Sequence, residues 1–310
     1  MKIPFLSTSA SASPMLTPTP RERLTSSPAV VLLFFSVVLL LTNLGRSGVA
    51  KLAIRLFYPE GITASAYMLI ALFATTLTVA AVLLYCLAGE RRSLVGLGFV
   101  PRHAAAEYGL GLLGGLVMLS ASVLLCAVSG TLTLTLTDAQ PRLGLLLLFL
   151  AGFLIQGMSE ELLCRSFLMV SLSRSLPLWL CALTNALLFS LIHLGNPGVT
   201  LIALLNIFLF GLFASLLTLR RGSIWMVGAL HSMWNFAQGN LFGIPVSGLS
   251  GIPSPLQAQV SEGALPTLIN GGTFGLEGGL AVTAVMLVGC ALLLTLPVRP
   301  TAGSPSKPLC

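Results

Sequence analysis

The chain has 310 residues, of which 55% are hydrophobic and only 8% are charged, and its mean hydropathy is +0.97. A water-soluble domain carries roughly a quarter charged residues, so the composition excludes an ordinary soluble globule and indicates an integral membrane protein. The formal net charge of +7 comes from 16 Lys and Arg against 9 Asp and Glu. With so few charges in total, the basic excess points to membrane orientation and not to a nucleic-acid partner.

Residues 1–28 are rich in Ser, Thr and Pro and aperiodic, which predicts a flexible tail. The apolar run Ala29–Leu41 follows Arg21 and Arg23 as in a signal peptide. No small-residue cleavage site stands directly behind it and more apolar runs follow, so it reads as an uncleaved first span. On a ruler of about 20 apolar helical residues per crossing, the sequence predicts eight spans, at 29–45, 65–89, 107–129, 143–172, 176–195, 199–219, 223–243 and 277–297. The expected fold is all-α, a polytopic transmembrane helical bundle. N-terminal helices fill 29–142 and core helices 143–243; an extramembrane loop occupies 244–276, and a last helix with its tail 277–310. The second half of the fourth span, SFLMVSL, has a second reading as an interfacial piece.

Eight spans put both termini on one side. Lys2, Arg21, Arg23, Arg91, Arg92, Arg102, Arg174, Arg220, Arg221, Arg299 and Lys307 fall on that side, and only Arg46, Lys51, Arg55 and Arg142 opposite. The positive-inside rule then expects both termini in the cytoplasm, with the 46–55 cluster arguing the other way. Cys86, Cys126, Cys164, Cys181 and Cys290 lie in apolar stretches and read as small core hydrophobes. Cys310 lacks the three following residues of a prenylation signal, so the chain is not expected to be prenylated itself.

Ionisable residues inside spans cost free energy and mark function by default. The fourth span carries Glu160, Glu161 and Arg165, the fifth ends with Phe189 and His193, and the seventh carries His231 and Asn235. Two of the three histidines in the chain thus fall inside spans. Glu161 and Arg165 are four apart and share a helix face, where pairing lowers the cost of burying both. Glu160 points roughly 100° away and lacks that partner. His231 and Asn235 share the same spacing, as do Phe189 and His193, whose ring can wall the imidazole. At about 1.5 Å per residue, Glu160 and His193 lie at similar depth on either side of the turn near Arg174–Pro177. Two histidines, a carboxylate and an amide in one low-dielectric cavity suit hydrolysis of an amide. The carboxylate takes a proton from water, the histidines order that water or hold a zinc ion, and Asn235 serves as oxyanion donor. Asn185 and Asn206 read as helix glue, His103 as a solvated loop residue, and the glycines at 109–116 as a close helix contact.

These residues resemble the CPBP family of intramembrane proteases, also called the Abi family. It includes the CAAX prenyl endopeptidases of the Ras-converting type and bacterial bacteriocin-processing or self-immunity proteins. The family is marked by EExxxR, FxxxH and HxxxN/D on successive helices. Here these are Glu160-Glu161-Leu-Leu-Cys-Arg165, Phe189-Ser-Leu-Ile-His193 and His231-Ser-Met-Trp-Asn235. The resemblance covers about residues 143–243. It implies a multi-helix bundle and endopeptidase activity on a membrane-associated or lipidated peptide within the lipid bilayer. Glu160 would be the water activator; His193, His231 and Asn235 would complete the catalytic set, with Glu161, Arg165 and Phe189 supporting. Zinc on His193 and His231 and a metal-free glutamate mechanism are both open. Ser166 stands where a Gly commonly follows the Arg, and Cys164 where a bulky residue is usual. Two competing classes are a proton-coupled transporter, which usually shows two related halves that are not seen here, and a catalytically silent scaffold or immunity factor.

Overall fold

The structure is a computed structural model that describes residues 13–21, 27–138 and 140–297. Lys2, Arg23, Arg299, Lys307, Cys310 and most of both expected tails lie outside the described residues. The first helix, α1 (Pro28–Phe57), starts on a proline whose fixed φ suits the first turn. It runs well past the expected end at 45, because residues 46–57 (RSGVAKLAIRLF) hold no proline and keep apolar side chains between their charges. Arg46, Lys51 and Arg55 therefore sit on a helix, which corrects their reading as a loop cluster.

The second span, α2 (Ala64–Gly89), is capped by Thr63, whose hydroxyl accepts from the Ala66 amide. After α3 (Ala104–Val128) comes a short strand, β1 (Leu132–Leu136), and then the long α4 (Leu143–Leu172). The chain continues through α5 (Leu178–Leu191), α6 (Leu201–Arg221) and α7 (Trp225–Phe236), the last followed by a π-turn at Ala237–Leu241. Strand β2 (Leu256–Val260), α8 (Ala264–Asn270) and α9 (Leu280–Thr295) complete the order. Among the described residues, α1, α2, α3, α4 and α6 are long and apolar enough to cross a membrane, and α5 and α9 are shorter apolar helices. The all-α polytopic bundle is as expected. The difference from eight full spans lies at 176–195, 223–243 and 277–297, where the helices have 14, 12 and 16 residues. SFLMVSL is no separate interfacial piece: Leu162–Met169 and Val170–Leu172 continue α4, buried at every residue.

Two short strands add to the expected helices. β1 reads LTLTL, a period-two pattern, and it pairs antiparallel with β2 so that Leu134 faces Ala258. Segment 244–276, expected as an extramembrane loop, is thereby tied back onto the bundle. Residues 13–21, in the stretch read as a tail, also pack: Met15 is 2% exposed, and Arg174 donates to the carbonyls of Leu16 (2.6 Å) and Met15 (3.0 Å).

Glycines set the closeness of the central helices. A Cβ on Gly115 of α3 would lie 2.3 Å from the Leu230 carbonyl of α7, and one on Gly157 of α4 would lie 2.7 Å from the Ser232 amide. Helix α7 is thus clamped between α3 and α4 at backbone contact, the packing that small residues permit in membranes. Away from this centre, Leu33, Leu40, Leu41 and Leu44 of α1 are exposed, an apolar surface suited to lipid.

Candidate active site

Helix α4 changes geometry at the acidic pair. It is α-helical through Glu161 and π-helical over Leu162–Met169, and such insertions concentrate at functional sites. Two outside contacts hold the widened turns. Arg92 donates to the Ser166 carbonyl (2.9 Å), and the Ser166 hydroxyl donates to the Leu97 carbonyl (2.6 Å). The serine at the position noted above is thus a fastening point.

Glu161 is fully buried, and its Oε1 accepts from Arg165 Nη1 at 3.0 Å. The same oxygen lies 2.8 Å from His231 Nδ1. A carboxylate accepts only, so Nδ1 carries the proton and Nε2 is left to face the cavity. Glu161 therefore orients a histidine as well as pairing with Arg165. The Arg165 guanidinium also donates to the Gly211 carbonyl at 3.2 Å and lies 4.5 Å over the Phe189 ring.

Glu160, on the neighbouring face, receives the Gln156 amide at 2.7 Å and has Oε2 3.7 Å from His231 Nε2. Gln156 was not singled out from the sequence. Its signal was a lone amide four residues before Glu160 in an apolar helix. Its Oε1 accepts from Asn235 Nδ2 at 3.0 Å, so one glutamine links the acid to the asparagine. Asn235 keeps its second N–H for another acceptor.

His193 lies just beyond the end of α5, on a turn and not within a span. Its Nδ1 is 2.7 Å from the Phe189 carbonyl, which again fixes the proton on Nδ1 and leaves Nε2 outward. The Phe189 ring centroid is 5.0 Å from the His193 ring and 6.0 Å from that of His231, the walling role expected from its spacing. Glu160, His193, His231 and Asn235 all line one cavity of about 320 Å³. Arg46, Ser247 and Glu277 line it too and were not among the expected site residues.

Every motif residue thus converges on this cavity or directly beneath it. The three motifs fall within one recognisable segment. Residues 142–237 match the family described as type II CAAX prenyl endopeptidase Rce1-like. The Rce1-like segment runs from the start of α4 to the end of α7, so the resemblance to CPBP proteases holds over the part of the chain that carries the motifs. Neither the curated proteins nor the solved structures gave a match.

Zinc on His193 and His231 was one of two open expectations, beside a metal-free glutamate mechanism. A catalytic zinc keeps three protein ligands, and among the described residues no three His, Cys, Asp or Glu side chains gather as such a set. The remaining assignments agree with the sequence. Asn185 donates to the Ser215 hydroxyl between α5 and α6 (2.8 Å). Asn206 donates to the carbonyls of Glu277 and Gly279 (2.8 Å each). His103 is exposed.

Proposed function

We propose that the protein is an intramembrane endopeptidase of the CAAX type, cleaving a membrane-associated or lipidated peptide in the cavity between α4, α5 and α7. The observation that carries this reading is the 3.7 Å gap between Glu160 Oε2 and His231 Nε2, in a cavity also lined by His193 and Asn235. A polar gap of that length suits a bridging water. In the proposed reaction, Glu160 takes a proton from this water as its oxygen attacks the peptide carbonyl. His231 Nε2 accepts the water's second hydrogen and so aligns it, His193 Nε2 is left to accept from the substrate's peptide N–H, and the second N–H of Asn235 donates to the oxyanion. When the intermediate collapses, the C–N bond breaks and the proton held by Glu160 passes to the leaving amine.

The test uses purified protein in liposomes with a panel of lipidated and unlipidated fluorogenic peptides. Wild type is expected to cleave members of the panel, with Glu160→Gln slowing turnover by about 10²- to 10⁴-fold, the contribution typical of a general base. His193→Ala is expected to fall as well. Absence of cleavage of any peptide by the wild type, together with solute flux into the liposomes, would overturn the reading in favour of transport. Loss of activity with a chelator and its return with zinc would overturn the metal-free step.

A further inference from the structure

Among the described residues, the arginines that reach into the bundle are bonded. Arg165 binds Glu161 and the Gly211 carbonyl, Arg92 binds Glu90 and Ser171, and Arg221 binds Glu107. Arg46 departs from this pattern. It lies on α1, half-buried, and lines the same cavity as Glu160, yet no acid or carbonyl of a described residue is within hydrogen-bond or ion-pair reach of it. Glu160 is engaged elsewhere, with Gln156 and His231. Glu160 acts on the Arg46 guanidinium only through space across the cavity, so its N–H donors are left for an acceptor that a ligand can supply.

Its height over the reacting centre follows from the helices. Phe34 of α1 and Phe167 of α4 meet edge to face with centroids 6.3 Å apart, which fixes a common level. Arg46 is twelve residues from Phe34 and Glu160 is seven from Phe167, or roughly 18 Å and 10 Å of helix. Both lead into the same cavity, so the backbone level of Arg46 lies about 8 Å farther along the bundle than that of Glu160, the span of about two extended residues. Asn43, one turn earlier on α1, lines the same wall.

We propose that Arg46 determines specificity by binding a carboxylate of the peptide substrate, about two residues from the bond that Glu160 hydrolyses. The planar fork of a guanidinium matches a carboxylate with two parallel hydrogen bonds, and the amide of Asn43 offers a further donor. The carboxylate is a free chain end or an acidic side chain. This inference rests on the peptidase reading, and its test separates the two.

Three peptides of one sequence and one lipid anchor are compared: a free C-terminal acid, its amide, and the amide with an acidic side chain two residues beyond the cleaved bond. Wild type is expected to favour one of the carboxylate peptides over the plain amide at least tenfold in kcat/KM, and the favoured peptide names the source. Arg46→Gln is expected to reduce that preference to within about twofold, mainly through KM; Arg46→Lys retains part of it. An undiminished preference in Arg46→Gln overturns the inference. So does an equal loss on all three peptides, which would place the effect on Glu160. Binding of the same peptides to Glu160→Gln and to Glu160→Gln/Arg46→Gln is measured by fluorescence. Equal affinity for acid and amide in the first protein also overturns the inference, whether or not the wild type cleaves. Binding that discriminates without any cleavage would instead sink the peptidase reading and leave the anion site standing.

Discussion

Glu160 and Glu161 are adjacent in sequence and do different work, because each helical step turns the side chain by about 100°. Glu161 faces inward to Arg165 and the Nδ1 edge of His231, while Glu160 faces the cavity with Gln156. Glu161→Gln is therefore expected to act on two properties together. The buried Arg165 loses its anion, and breaking such a pair costs roughly 3–5 kcal/mol, which a lowered Tm in detergent would report. His231 exchanges an acceptor-only carboxylate for an amide that can also present its N–H to Nδ1, so the tautomer is no longer fixed, and kcat is expected to fall about 10- to 100-fold, as for other partners that orient a functional histidine, with KM little changed. A variant with normal kcat would show that Glu161 serves packing alone. At this scale much was legible in the sequence: the ordered motifs named the acids, histidines and Asn235. Gln156 and Arg46 escaped. A lone amide in an apolar helix has no distinguishing pattern, and Arg46 was counted with a loop because α1 was ended too early.

Between elements, the site depends on how closely backbones approach. Gly157 stands one turn before the acids, and its missing Cβ lets α7 bring His231 within hydrogen-bond distance of Glu161. Gly157→Ala forces a methyl group toward the Ser232 amide and is expected to destabilise the fold by roughly 1–3 kcal/mol, as overpacking does. Because the added spacing falls beside the reacting groups, activity at a permissive temperature is expected to drop more steeply than stability. Gly115→Ala, at the α3 face of α7, should lose comparable stability with a smaller effect on kcat. Equal activity in the two variants would contradict this difference. The glycine stretch at 109–116 already indicated a close contact in the sequence. The short lengths of α5 and α7 did not show, since apolar composition continues beyond the last helical turn: His193 lies on a turn within a run that reads as span.

On the scale of the whole molecule, the β1–β2 pair joins the chain before α4 to the segment after α7, and that segment brings Val246 and Ser247 to the cavity. LTLTL carried a strand signal, but its partner lay in a stretch whose Gly, Pro and Ser content suggested only a loop. The pairing has a register that can be tested. Leu134→Cys with Ala258→Cys is expected to form a disulfide under mild oxidant, since the two are direct partners. Leu134→Cys with Gln257→Cys, one residue out of register, should form little. Equal cross-linking in both would refute the assigned register.

The placement of Arg165 four residues after Glu161 bears on how such a chain enters a bilayer at all. During synthesis, α4 leaves the ribosome about 60 residues before α7, a delay of several seconds at roughly 5–20 residues per second. Through that interval His231 has not yet been made, and the acids of α4 have no histidine to meet. Because one helix carries both Glu161 and Arg165, their charges offset each other locally, and the segment meets the hydrocarbon with a smaller penalty than an isolated acid would impose. The ion pair that later steadies His231 thus serves first as a passenger's own ballast, carried across before its partner exists.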